Sequence, residues 1–248
     1  MSFVLLAAVA ALLAWFMWTD LAEYRAFKSL TRTEDRLCVL RRWTLRSFLA
    51  FLGSSLVVLL LLGRLDSLIH MPAEFRSLSE RLSGFLPGHG SQGVGSGFLV
   101  GFGAAMVGGT VAGAIIAGML ARRKKARPSL PTDIEPLLPR NKDERLWTAL
   151  LGANAGPGEE IFFRLMLPLL LVAVTGNPIL AFALAAMIFG LLHLYQGWFG
   201  VVVTSLAGLF LTVVYLATGN IWIAALIHAL MNLNTLWLRP LLSQRFAD

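Results

Sequence analysis

The fold of this chain is decided by long stretches without formal charge, and residues 198–217 are the clearest of them. They read WFGVVVTSLAGLFLTVVYLA, with no Lys, Arg, Asp or Glu. A helix of about 20 apolar residues is long enough to cross the hydrocarbon core of a bilayer. This stretch therefore predicts a membrane-spanning helix.

Similar apolar stretches recur along the whole chain. Of the 248 residues, 57% are hydrophobic and only 14% are charged, against about 25% charged in a typical soluble domain. This composition argues against a soluble enzyme and a disordered chain, and the single cysteine, Cys38, excludes an internal disulfide scaffold. We predict an all-α, polytopic membrane bundle of about seven transmembrane helices. The predicted spans are residues 2–18, 47–63, 94–121, 146–174, 178–195, 198–217 and 221–238.

The basic residues predict the orientation of the chain in the membrane. Residues 20–46 contain seven Lys or Arg and residues 122–145 contain eight, whereas residues 64–92 contain three. The positive-inside rule therefore places the two richer segments in the cytoplasm, with residues 64–92 and the N-terminus outside. The orientation in the membrane accounts for these basic clusters and for the net charge of +7. We therefore expect contact with membrane lipid and no binding of nucleic acid.

The chain divides into two predicted regions. Residues 1–145 form an N-terminal membrane region with three spans, basic cytoplasmic loops and the external loop 64–92. Residues 146–248 form a helical core that is nearly free of charge. Within the core, we expect the Gly/Pro cluster at 152–158 to break or tilt the fourth span. In the external loop, residues 73–86 have the apolar spacing of a helix lying flat on the outer interface.

Only three formal charges lie within residues 146–238, namely Glu159, Glu160 and Arg164. A charge inside a membrane is costly and usually functional. Glu160 and Arg164 have i,i+4 spacing and are predicted to pair on one helix face. A structural ion pair between helices explains these two well. It explains Glu159 poorly, because Glu159 points about 100° away and is typical of a general base.

Two histidines and an asparagine in the same core extend the candidate site. His193 ends the fifth span, and His228 lies in the seventh. His228 and Asn232 have i,i+4 spacing, so both are predicted to point into one cavity and to donate to a developing oxyanion. His193 is predicted to help Glu159 hold a water. A single such histidine is more often a helix–helix contact, but the combination favours catalysis.

Three motifs resemble those of the CPBP intramembrane proteases, a family of CAAX proteases and bacteriocin-processing enzymes also called Abi. The sequence Glu159-Glu160-Ile161-Phe162-Phe163-Arg164 resembles the first motif, Glu-Glu-x-x-x-Arg. Phe189-x-x-x-His193 is similar to the second, and Gly219-Asn220-Ile221-Trp222 with His228-x-x-x-Asn232 is similar to the third. The motifs occur in the family's order. They cover about residues 155–235, and Leu165 stands where many members have glycine.

The resemblance implies a membrane-embedded endopeptidase of the CAAX type. It implies that Glu159 and His193 activate the attacking water, that Glu160 and Arg164 orient the site, and that His228 and Asn232 stabilise the oxyanion. The resemblance leaves open whether a metal takes part in activating the water. Zinc or another divalent ion held by Glu159, His193 and His228 is one possibility, but the sequence slightly favours a metal-free water.

Two other classes of function are kept as alternatives. A non-catalytic immunity or scaffold protein of the same family fits the motifs, and a proton-coupled transporter fits intramembrane Glu, His and Arg. We expect a peptide, protein or lipoprotein substrate. We also expect a multi-pass protein of a bacterial inner membrane, with the active site toward the cytoplasmic half.

Overall fold

The computed structural model describes residues 1–85 and 133–238, with a few isolated positions outside these ranges. The described part of the chain is helical and contains no strand. The α-helices are α1 (Ser2–Lys28), α2 (Thr33–Ser47), α3 (Ser54–Leu61), α4 (Ala73–Phe85), α5 (Lys142–Glu160), α6 (Leu167–Thr175), α7 (Pro178–Leu192), α8 (Gly197–Thr218) and α9 (Ile221–Leu233). Wider π-helical turns occupy Phe48–Gly53, Ile161–Met166 and Asn234–Leu238.

Four helical stretches in the described ranges are long and apolar enough to cross a membrane. A further apolar helix, α7, is shorter. The third predicted span, residues 94–121, lies largely outside the described residues, as do the basic run at 122–125 and most of the tail at 239–248. The prediction of an all-helical membrane bundle is confirmed. The four stretches are Ser2–Lys28, Thr33–Leu61, Leu194–Thr218 and Ile221–Leu238.

Two similar turns fix where α7 and α9 begin. Gly176 ends α6 and Gly219 ends α8, each with φ of +66°, a left-handed conformation that glycine adopts without steric cost. The next residue is an asparagine in both turns, and its side chain accepts a hydrogen bond from the first turn of the following helix. The first turn therefore packs α7 against α6, and the second packs α9 against α8.

The core surrounds the π-helical turn Ile161–Met166, in which every residue is buried. Phe51 from the N-terminal region packs against Phe162 and Phe163 at ring-centroid distances of 5.3 and 5.7 Å. A buried ion pair also fixes α2 to the start of α5, the helix that continues into the core, because Nε of Arg36 lies 3.0 Å from Oε1 of Glu144. The N-terminal helices thus pack directly on the core.

Two details of the fold differ from the sequence-based expectation. Of the two alternatives predicted for the fourth span, a break at 152–158 is wrong, because α5 continues through Gly152, Pro157 and Gly158 to Glu160, and a tilt stays a prediction. The glycines pack against neighbouring helices instead, and the irregular turn comes later, at Ile161–Met166. The segment 20–46 is also largely helical, since α1 runs on to Lys28 and α2 starts at Thr33.

The predicted helix at 73–86 is present as α4. Its Phe75 is fully buried, with its ring centroid 4.8 Å from that of Phe182 on α7. Its Ser79 donates a hydrogen bond to the carbonyl oxygen of Leu216 on α8 at 2.5 Å. Helix α4 therefore packs on the core helices, and its location at the outer interface stays a prediction.

Candidate active site

The two adjacent glutamates lie where α5 gives way to the π-helical turn. Glu160 is the last residue of α5, and the wider turn starts at Ile161. Such π-helical turns occur frequently at functional sites. Because neighbouring residues on a helix point about 100° apart, the two carboxylates enter different surroundings.

Glu160 and Arg164 form the predicted ion pair. Oε1 of Glu160 lies 2.9 Å from Nη1 of Arg164, and both side chains are almost completely inaccessible to solvent. Nη2 of Arg164 donates to the carbonyl oxygen of Gly208 at 3.2 Å, and its guanidinium lies 4.3 Å from the centroid of the Phe189 ring. A Cβ at position 208 would lie only 2.9 Å from the Phe189 ring and 3.1 Å from Nη2. Glycine therefore leaves room for Arg164.

His228 connects the two glutamates. Its Nδ1 lies 2.7 Å from Oε1 of Glu160, and its Nε2 lies 3.8 Å from Oε2 of Glu159. A carboxylate only accepts hydrogen bonds, so Nδ1 carries the proton that is shared with Glu160. The other ring nitrogen then faces Glu159, at a distance that a bridging water can span.

Glu159 differs from Glu160 in making no hydrogen bond to the described residues. Its buried Oε2 has only the 3.8 Å contact with Nε2 of His228. Oε2 of Glu160 is also without a hydrogen bond in this part of the chain, but its Oε1 is held by both Arg164 and His228. Glu159 is thus the less neutralised carboxylate, as the helical spacing predicted.

A cavity of about 320 Å³ lies in front of Glu159. His193, His228 and Asn232 also line it. Nδ1 of His193 lies 2.8 Å from the carbonyl oxygen of Phe189, and Nδ2 of Asn232 donates to the carbonyl oxygen of Gly152 at 3.3 Å. Four of the six predicted site residues therefore share one cavity, while Glu160 and Arg164 lie behind it.

The close approach of α5 and α9 brings the glutamates to His228. A Cβ at Gly156 would lie 2.6 Å from the carbonyl oxygen of Ala225 and 2.7 Å from Cβ of Ala229. A Cβ at Gly152 would lie 3.1 Å from Cβ of Asn232. Small residues let helices in a membrane approach closely, and this contact places two site residues of α9 beside α5.

Comparison with known protein families matches this part of the chain. Residues 141–234 fit the Rce1-like family, the type II CAAX prenyl endopeptidases. No curated protein and no solved structure gives a significant match. The match covers less than half of the chain and confirms the resemblance to the CPBP intramembrane proteases, and at the level of the family it supports an intramembrane endopeptidase.

The Rce1-like segment contains all six predicted site residues, from Glu159 to Asn232. The cavity extends beyond it, because α1 and α2 also contribute to its lining. Sequence reasoning missed these N-terminal residues. The only sequence signal for these cavity residues is that Asp20 is the first charged residue after the apolar start of α1. The lining residues from these two helices are Phe16, Asp20, Tyr24, Trp43 and Ser47.

The residues described here contain no group of three His, Cys, Asp or Glu side chains that converge as metal ligands do. Nδ1 of His228 is engaged by Glu160, and Nδ1 of His193 is engaged by a backbone carbonyl. Each imidazole therefore offers only Nε2 toward the cavity. Metal-free activation of water stays a prediction.

Proposed function

We propose that this chain is an intramembrane endopeptidase in which Glu159 activates the water that attacks the substrate peptide bond. The observation that carries this proposal is the contrast between the adjacent glutamates. Glu160 is buried and held by Arg164 and His228, whereas Glu159 lines the cavity without a hydrogen bond among the described residues. A general base needs a free oxygen within reach of the proton that it removes.

His193 is proposed to help position this water. Its Nδ1 is occupied by the backbone carbonyl of Phe189, so the proton lies on Nδ1 in the neutral ring. Nε2 is then an acceptor on the same cavity that Glu159 lines. A water held between Glu159 and His193 transfers one proton to the Glu159 carboxylate as its oxygen attacks the carbonyl carbon.

His228 and Asn232 are proposed to stabilise the tetrahedral oxyanion. Nδ2 of Asn232 carries two hydrogens, and only one is used by the carbonyl oxygen of Gly152. Because Nδ1 of His228 is directed at Glu160, its Nε2 donates a hydrogen bond only when the ring is an imidazolium. That charge would bring Glu159, Glu160, Arg164 and His228 to net neutrality. As the intermediate collapses, Glu159 returns its proton to the leaving amine.

The proposed setting is a bacterial inner membrane, with the N-terminus outside and the site toward the cytoplasmic half. The support is the excess of Lys and Arg in residues 20–46 and 122–145. Membrane lipid surrounds the bundle, and the substrate is a peptide, protein or lipoprotein. This proposed enzyme is glutamate-dependent and CAAX-protease-like.

The proposal is tested by cleavage of fluorogenic lipidated and unlipidated peptides by the purified chain in detergent. Glu159→Gln keeps the shape of the side chain and removes the base, so the cleavage rate should fall by about 10²–10⁴-fold. Glu34→Gln is the matched control, because Glu34 is an exposed glutamate that does not line the cavity. Equal activity of wild type and Glu159→Gln would exclude the proposed base.

A further inference from the structure

Part of the cavity lining takes no part in the proposed chemistry, and we call it the Asp20 end. Helices α1 and α2 supply it, with Asp20, Tyr24 and Trp43, and Tyr195 faces them from the turn before α8. Asp20 lies at the end of α1 that carries the charged residues. The N-terminal region therefore shapes the space beside Glu159.

The described cavity lining contains two acidic side chains, Asp20 and Glu159, and no Lys or Arg. Two carboxylates in such a lining favour a positively charged occupant and disfavour an anionic one. Because His228 is proposed to serve the oxyanion beside Glu159, this selection applies to the group of a substrate that reaches Asp20.

Asp20 has an oxygen available for such a group. Its Oδ1 lies 2.8 Å from Nη2 of Arg46, and Arg46 is shared with Glu23, whose Oε2 lies 2.9 Å from Nη1. Oδ2 of Asp20 makes no hydrogen bond to the described residues. Arg46 thus holds Asp20 in place without using the whole carboxylate.

Aromatic rings complete the surroundings of this carboxylate. The centroids of the Tyr24 and Tyr195 rings are 4.8 Å apart, and those of Tyr24 and Trp43 are 6.4 Å apart. Aromatic faces attract cations that lie within about 6 Å of the ring centroid. Nζ of Lys28, which is paired with Asp133, lies 5.2 Å from the Tyr24 centroid, so Tyr195 and Trp43 are the rings without a cation of the chain over them in the described residues.

We infer that the Asp20 end of the cavity binds the side chain of a lysine or arginine in the substrate, close to the bond that is cleaved. Oδ2 of Asp20 accepts a hydrogen bond from the ammonium or guanidinium group, while Tyr24, Trp43 and Tyr195 contact its apolar stem. Asp20 is thereby a specificity-determining residue. The inference rests on the proposed function, because it treats the occupant as a substrate peptide.

The test measures binding to full-length protein carrying Glu159→Gln, so it does not depend on cleavage. With Glu159 neutral, Asp20 is the only carboxylate left in the described lining. The probes are acetylated octapeptide amides of Ala, Leu and Ser, in which one lysine is moved along the peptide. Matched peptides carry norleucine, which is uncharged, or glutamate at the same position. A third set carries S-farnesylcysteine.

At one position, the lysine peptide should bind at least about tenfold more tightly than its norleucine match. Adding Asp20→Asn should reduce that ratio to about twofold or less, and Asp20→Glu should retain it. Because the ratio compares two peptides on the same protein, a partial loss of folding does not change it. Glu34→Gln in the same background should keep the full preference.

Three results would overturn the inference. They are equal affinity for lysine and norleucine at every position, a lysine preference that persists in Asp20→Asn, and tighter binding of farnesylated peptides with no effect of lysine. The last result would identify an apolar lipid site. By contrast, an Asp20-dependent lysine preference in a protein that cleaves no peptide would contradict only the proposed peptidase activity.

Discussion

Nδ1 of His228 lies 2.7 Å from Oε1 of Glu160, although 67 residues separate the two in the chain. The same carboxylate oxygen lies 2.9 Å from Nη1 of Arg164. A single buried oxygen therefore holds a residue of α9 and a residue of the π-helical turn. Glu160 is thereby held behind the cavity, and Glu159 lines it.

The buried ion pair predicts a folding defect in Arg164→Ala. Removing the guanidinium leaves the Glu160 carboxylate without its cation in a site that excludes water, which typically costs about 3–5 kcal/mol. The measurement is the melting temperature and the monodisperse fraction of the protein in detergent. Arg25→Ala is the control, because Arg25 is an exposed arginine of α1. An Arg164→Ala protein as stable as wild type would contradict the pairing.

The packing of α5 predicts that alanine destabilises the protein at Gly156 and is tolerated at Gly158. Gly156→Ala places a methyl group 2.6 Å from the Ala225 carbonyl oxygen, so α5 and α9 must separate, at a cost of about 1–3 kcal/mol. Gly158→Ala meets its nearest atom, Cβ of Phe51, at 3.6 Å, which is ordinary contact.

Thermal unfolding of both variants in the same detergent checks this pair. The Gly158→Ala protein should be as stable as wild type or slightly more stable, because alanine favours the helix. If the two variants melt at the same temperature, the close contact between α5 and α9 is not the constraint at position 156.

The ion pair between Arg64 and Glu74 predicts a dependence of stability on pH. Nη1 and Nη2 of Arg64 lie 2.7 and 2.8 Å from the two carboxylate oxygens of Glu74. This hydrogen bonding lowers the pKa of Glu74 below its ordinary value, and partial burial opposes the shift. A lowered folded-state pKa gives stability that is full above the ordinary glutamate pKa and is lost as the pH falls through the lowered one.

Glu74→Gln should therefore be less stable than wild type at pH 7, by up to about 1 kcal/mol for a partly exposed pair. The difference should shrink progressively as the pH falls below about 4.5. Melting temperatures of the two proteins between pH 7 and pH 3 provide the measurement. A constant difference across this range would mean that the pair does not stabilise the fold electrostatically.

Activation of water by Glu159 and His193 predicts activity without a metal. Protein purified without added metal should cleave its peptide, and a chelator should leave the rate unchanged. Elemental analysis of the same sample gives the metal content per chain. One tightly bound zinc, whose removal abolishes cleavage and whose return restores it, would contradict the metal-free mechanism.

Local spacing was sufficient to predict several of these features. The length of the charge-free stretches predicts membrane-spanning helices. The i,i+4 separation of Glu160 and Arg164 predicts their ion pair. Both are local properties of a single helix. The same reasoning failed at residues 152–158. Glycine and proline there predict a break or a tilt, whereas α5 continues without a break and uses its glycines as a packing surface.

The sequence by itself therefore determined the membrane-spanning helices, the paired and unpaired glutamates and the resemblance to an intramembrane protease family. Only the tertiary structure decided that His228 lies between the two glutamates and that Asp20, Tyr24 and Trp43 line the same cavity as Glu159. These contacts join helices that are distant in the chain. Their geometry depends on how each helix is rotated and how closely its neighbours approach, and side-chain packing across the bundle sets both.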